Sequence, residues 1–281
     1  MKLLRVISVL CLVAANYIGG VAAANELDDT LVLGDSVAFA YIDSAGYEYI
    51  NPDNFLGFAD ELKTILPIKV VNAGCPGETT NSFVSPAGID HGCRAFRARF
   101  PLHIAYSNTQ LEYAKRYLSR HRDVRLVTIT LGANDAFLLM DACVSQPDPA
   151  ACIQAGGPAL FATVEGNMKA ILADLRATGF AGAIVITNYY SPDYSDAAET
   201  GLTALVNVAT AFKTVASSQT FGGKTCNTGL LNASVVNPLL CDVHPSQSGH
   251  RLIAQTVTRT YRALNWPAQE SYSMDSLAFS K

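Results

Sequence analysis

The chain has 281 residues, 49% of them hydrophobic, with 20 Lys and Arg against 24 Asp and Glu and a formal net charge of −4. That length suits one α/β domain with a full core and requires no second one. The acidic balance argues against nucleic acid as a partner.

In chain order, the first feature is a leader. Lys2 and Arg5 precede an apolar core from Val6 to Ala15 and the small residues Ala22-Ala23-Ala24, the pattern of a secretory signal over residues 1–24. Asn16 and Gly19-Gly20 interrupt the apolar stretch, which falls short of the ~20 residues a bilayer span needs. Leu10 before Cys11 is too bulky for a lipoprotein pattern, so no stable membrane anchor is expected. The leader holds two basic residues and no acidic one, so residues 25–281 carry 18 basic against 24 acidic groups and a net charge of −6.

Apolar runs typical of buried parallel strands follow at 30–33, 68–72, 125–131 and 183–188. Helical patterns at 55–66, 108–121, 160–178, 201–220 and 246–264 alternate with them, which predicts helices on both faces of a parallel sheet. In 160–178 the residues Leu160, Val164, Met168, Ile171, Leu172 and Leu175 recur at helical spacing, and Gly179 supplies a stop. The least periodic stretches, 75–104, 141–159, 190–200 and 222–241, read as loops above the sheet edge.

Six cysteines remain after the leader, and an even number in an exported chain points to three disulfides. Six cysteines allow 15 connectivities. Nearest-neighbour pairing, Cys75 with Cys93, Cys143 with Cys152 and Cys226 with Cys241, is the simplest. A zinc site is disfavoured because there is no Cys-x-x-Cys pair.

Four stations carry chemistry. Gly34-Asp35-Ser36 follows the first strand, placing a hydroxyl at the carboxyl edge of the sheet, where open α/β folds build their sites. Asn72-Ala73-Gly74 ends the second strand, and a residue without a Cβ lets the backbone approach a bound carbonyl. Gly132-Ala133-Asn134-Asp135 ends the third and offers a carboxamide donor for an oxyanion. Asp242-Val243-His244-Pro245 supplies a base, held out of the following helix by Pro245. Taken singly these are ordinary turn and cap residues. His250, the rival base, and His91, His103 and His121 read as packing or surface residues. Ser36 is followed by Val37-Ala38, so the Gly-x-Ser-x-Gly elbow of the α/β-hydrolases is absent.

In this order the four stations resemble the SGNH (GDSL) family of serine esterases and lipases, over nearly the whole chain from Gly34 to the helix after His244. The resemblance implies a three-layer α/β/α sandwich with a flavodoxin-like parallel sheet of about five strands. It implies Ser36 as nucleophile, His244 as base, and an oxyanion hole of the Ser36 and Gly74 N–H groups with the Asn134 side chain. Asp35 and Asp135 are expected to hold their loops by hydrogen bonds to backbone. No metal or organic cofactor is implied, and the expected partner is a small-molecule or lipid ester, acted on by a monomer that is secreted or periplasmic. The family places its orienting Asp three residues before the His. Here Cys241 occupies that position and Asp242 stands two before, so either Asp242 or a main-chain carbonyl holds the imidazole. Within the family a carbohydrate acetylesterase and a (lyso)phospholipase are alternatives. A catalytically inactive binding module is the reading from another class.

Overall fold

The computed structural model describes residues 28–195, 207–234 and 241–264. The expected leader at 1–24, the start of the helix expected from residue 201 and part of the loop at 222–241 lie outside them. Four β-branched runs form the parallel strands β1 (Asp28–Gly34), β2 (Ile68–Asn72), β3 (Val124–Thr130) and β4 (Ala183–Ile186). They lie in the order β2-β1-β3-β4. The strand order reverses between β1 and β3, and open α/β sheets place their crevice above such a point.

Alternation along the strands divides the core in two. Leu31, Leu33, Val127 and Ile129 face one layer. It includes α5 (Gln110–Arg120) and α7 (Pro149–Ala177). Val32, Leu126 and Val185 face the opposite layer. That layer is built by α2 (Phe58–Ile65), α8 (Val208–Ala216) and α9 (Gln247–Ala263). Helices on both faces of a parallel sheet give the three-layer sandwich. Short helices fill the loops above the carboxyl edge: α1 (Ser36–Phe39), α3 (Thr80–Val84), α4 (Cys93–Arg99) and α6 (Ala133–Cys143).

Two details differ from the sequence expectations. Among the described residues the parallel sheet has four strands rather than about five, and the segment carrying His244 forms instead a small antiparallel ribbon, β5 (Leu231–Ala233) with β6 (Cys241–Pro245). The stretch 141–159, expected as a loop, is mostly helical. Asp148 caps α7 by accepting the Ala151 N–H at 3.0 Å, Pro149 opens it, and Pro158 is carried inside the helix. A capping Asp followed by Pro is a start signal that Gly156-Gly157-Pro158 obscures.

Disulfides join Cys75 to Cys93, Cys143 to Cys152 and Cys226 to Cys241. The first ties the loop after β2 to α4, the second clamps α6 to α7, and the third fixes the start of β6 to the turn at Thr225–Thr228. Among the described residues no helix is long and apolar enough to cross a membrane.

Candidate active site

The site begins where β1 runs out. Gly34 has φ 134°, and a Cβ there would lie 2.0 Å from the Thr130 carbonyl oxygen, so only glycine lets β1 end this close to β3. Both backbone groups of Gly34 are held by one buried side chain: its N–H donates to Gln110 Oε1 at 2.5 Å and its carbonyl accepts from Gln110 Nε2 at 3.0 Å. The chain then turns into α1. Asp35 caps that turn, accepting the Val37 N–H at 3.0 Å, and its other oxygen accepts the Tyr189 hydroxyl. Burial pushes the Asp35 carboxyl up to about 6, against the opposing effect of these hydrogen bonds. Ser36 is thereby presented, half-buried, as the first residue of α1.

His244 Nε2 lies 3.0 Å from Ser36 Oγ, and both Asp242 carboxylate oxygens lie 2.9 Å from His244 Nδ1. The physical reason is the strand. Residues two apart on an extended segment point to the same side, so on β6 Asp242 and His244 face the site together while Val243 between them is exposed. An Asp three residues ahead would leave the strand face. Burial raises the Asp242 carboxyl, but the hydrogen bond and charge of His244 outweigh it and hold it below its ordinary value. Pro245 biases His244 toward extended backbone, and that extended backbone is strand rather than loop.

β6 is braced at its start and at its middle. Cys241 is covalently held, and Tyr190 donates its hydroxyl to the Val243 carbonyl at 2.7 Å while stacking on Phe212 with ring centroids 4.3 Å apart. The Tyr41 ring lies 4.9 Å from the imidazole. Tyr189 and Tyr190 therefore act as struts between the end of β4, the Ser36 turn and β6.

Gly74 and Asn134 stand on the same edge, after β2 and β3. A Cβ on Gly74 would come within 2.7 Å of the Phe39 nitrogen and 2.9 Å of Ala38, so glycine is required by close packing against α1. Its N–H is engaged rather than free. It donates to Asn72 Oδ1 at 2.9 Å, and Asn72 in turn donates Nδ2 to the Ala38 carbonyl at 2.7 Å. An oxyanion would have to share or displace that carboxamide oxygen to receive the Gly74 N–H. Asn134 is buried and gives one amide hydrogen to the Glu78 carbonyl at 3.0 Å, leaving the second available. Asp135 fixes this loop by accepting the Thr80 N–H at 2.9 Å and hydroxyl at 2.6 Å.

The other histidines have different surroundings. His250 is buried in α9, and burial followed by the nearby His244 charge pushes it down to about 3, so it is neutral over the working pH range. His91 pairs with Asp141 at 3.0 Å, and His103 Nε2 lies 2.9 Å from the Phe39 carbonyl oxygen.

With a serine, an imidazole and a carboxylate arranged in series, a comparison with family models becomes decisive: the GDSL-like lipase/acylhydrolase family matches residues 32–252. The chain belongs to that family. A search of curated proteins finds no match. Solved structures with a similar fold include a lipase from a goat rumen metagenome, at 14% identity and TM-score 0.47 over 83% of this chain and 96% of that one. An acetylxylan esterase from Geobacillus stearothermophilus shares 17% identity at TM-score 0.46, covering 83% and 94%. An α/β hydrolase from the metagenome of Lake Arreo, Spain, shares 17% at TM-score 0.47, covering 85% and 96%. At these identities the likeness concerns the fold alone.

The supporting roles of four residues in this GDSL-family site escape sequence reasoning: those of Asn72, Gln110, Tyr189 and Tyr190. Each reaches a partner 34 or more residues away. Asn72 was within a motif, yet its bond to Ala38 leaves no local signal. Gln110 stands at the start of a helix otherwise amphipathic.

Proposed function

We propose that the chain is an exported serine esterase or lipase, cleaving carboxylic esters through an acyl-enzyme on Ser36. Residues 1–24 are then a leader removed on export, and residues 25–281 one catalytic domain. Three disulfides support an oxidising destination, extracellular or periplasmic. The observation that carries the mechanism is the 3.0 Å approach of His244 Nε2 to Ser36 Oγ, with Asp242 on the far nitrogen.

His244 takes the Ser36 proton as Oγ attacks the acyl carbon, then returns it to the departing alcohol. Asp242, ionised beside Nδ1, fixes the tautomer and stabilises the imidazolium that forms. The tetrahedral oxyanion sits against the Ser36 N–H, at the unsatisfied start of α1, and the second amide hydrogen of Asn134. Gly74 joins as a third donor only by sharing its proton with Asn72. Water activated by His244 then cleaves the acyl-enzyme and releases the acid.

The substrate is a small-molecule or lipid ester; acetylated carbohydrates and (lyso)phospholipids fall within the same chemistry. The test is hydrolysis of p-nitrophenyl esters of rising acyl length by wild type and Ser36→Ala. Activity confined to acetyl and propionyl esters favours an acetylesterase, and a maximum at long chains favours a lipase. Turnover that survives Ser36→Ala would overturn the nucleophile assignment.

A further inference from the structure

The sheet edge opposite the site holds a second cluster. Asp29 at the start of β1, His121 just past α5 and Asp123 just before β3 bring one imidazole and two carboxylates together, their nearest ligand atoms all within 4.8 Å of one another. Asp29 and Gly34 are five residues apart, so at ~3.3 Å per strand residue the cluster lies ~16 Å below the end of β1. It is separate from Ser36.

The Asp29 carboxylate is the decisive group. Asp29 is only 7% exposed, and its Oδ1 is buried without a hydrogen-bond partner. An ionisable oxygen in that condition is costly unless a donor or a cation meets it. Its other oxygen accepts the Tyr117 hydroxyl at 3.1 Å, which fixes the carboxylate plane. Tyr117 also stacks on His121, with ring centroids 4.0 Å apart and planes 16° apart. One tyrosine thus orients two of the three groups, as outer-sphere residues do around metal ligands.

The backbone reinforces the arrangement. The Asp29 N–H donates to the Asp123 carbonyl at 3.4 Å. Arg122, between His121 and Asp123 in sequence, donates to the Thr178 carbonyl at 2.9 Å. Among the described residues no ion pair joins His121 to either carboxylate. His121 sits at the carbonyl end of the eleven-residue α5, where the helix field favours positive charge.

We propose that Asp29, His121 and Asp123 form a structural site for a divalent cation of the zinc class. Two carboxylates balance the charge of the ion. The imidazole selects a borderline metal over calcium or magnesium, and water completes a tetrahedral set. Ligand atoms at ~2.0–2.2 Å around one tetrahedral ion stand roughly 3.4 Å apart, so the three groups close in from their separations of up to 4.8 Å when the ion binds. The bound ion staples β1, α5 and β3 at the edge remote from the ester chemistry, so it acts on stability and leaves turnover alone.

The test uses the full exported protein stripped with EDTA and titrated with ZnCl2, followed by calorimetry and thermal melting, beside His121→Ala and Asp123→Asn. Wild type binds one equivalent, and at a hundredfold excess over the dissociation constant Tm rises by about 5–10 °C. Each variant binds at least about tenfold more weakly. Ester hydrolysis by the stripped proteins is equal, which also shows that both variants fold. CaCl2 gives a smaller rise. Absence of stoichiometric zinc binding in wild type, unchanged affinity in both variants, or equal response to calcium overturns the proposal, whether or not Ser36 proves to be the nucleophile.

Discussion

Replacing Asp242 by Asn is the sharpest test of how the imidazole is held. The side chain keeps its shape and an oxygen able to accept from Nδ1, so the loss is chiefly the negative charge beside a forming imidazolium. With both oxygens at 2.9 Å, the centres of charge lie ~4 Å apart, and 13–16% side-chain exposure leaves the pair largely screened from water. Coulomb attraction at that distance is about 4 kcal/mol for an effective dielectric near 20, and about half that with solvent access. At 1.36 kcal/mol per decade this predicts a fall in kcat of roughly 30- to 1,000-fold. The assay is kcat and KM on p-nitrophenyl acetate at fixed pH, with the melting temperature as a control for folding. A loss under about tenfold in a folded variant would refute the reasoning and assign the orienting role to a main-chain carbonyl, leaving a Ser-His dyad.

Asn134→Ala removes an oxyanion donor and is expected to lower kcat by about 10²–10³ with KM little changed; parallel losses in binding would contradict that role. Gln110→Leu strands the buried Gly34 N–H, while the Gly34 carbonyl keeps the Cys75 N–H at 2.9 Å, and at ~1–3 kcal/mol for one stranded group the variant should lose about 1–3 kcal/mol in urea unfolding. A loss below 1 kcal/mol would mean that Gly34 finds other partners. Asp35 concerns pH. Its carboxyl rises from 3.8 to about 6 on folding, so the native protein keeps a proton that the unfolded chain releases. Its contribution to stability is therefore greatest at acid pH and is lost as pH rises through 6. Asp35→Asn, permanently neutral, should gain about 2 kcal/mol on wild type between pH 4 and pH 7. A melting-temperature difference independent of pH would contradict this sign.

The four strand runs and four site motifs were legible because each is local: β-branched residues in series, then Gly, Asn or Ser at the break. The ribbon of β5 and β6 was not, since three- and five-residue strands have too little periodicity to declare themselves and exist only by pairing with each other. The Asp242 question turned on this point, because a two-residue spacing is awkward in a loop and natural on a strand. The hydrogen bond of the Gly74 N–H is hidden from the sequence for a related reason. Its acceptor, the Asn72 side chain, is two residues away, but only the packing of α1 turns that carboxamide toward it.

Because the imidazole and its carboxylate ride on a single rigid ribbon, motion of that ribbon carries both together. Sliding it by an ångström lengthens the reach to the alcohol without spoiling the angle between ring and acid. Catalysis in such a machine can be throttled by distance alone, and the cystine and tyrosine that moor the ribbon become its natural throttle points. Mild reductants that open Cys226–Cys241 should accordingly slow turnover well before the sandwich itself melts.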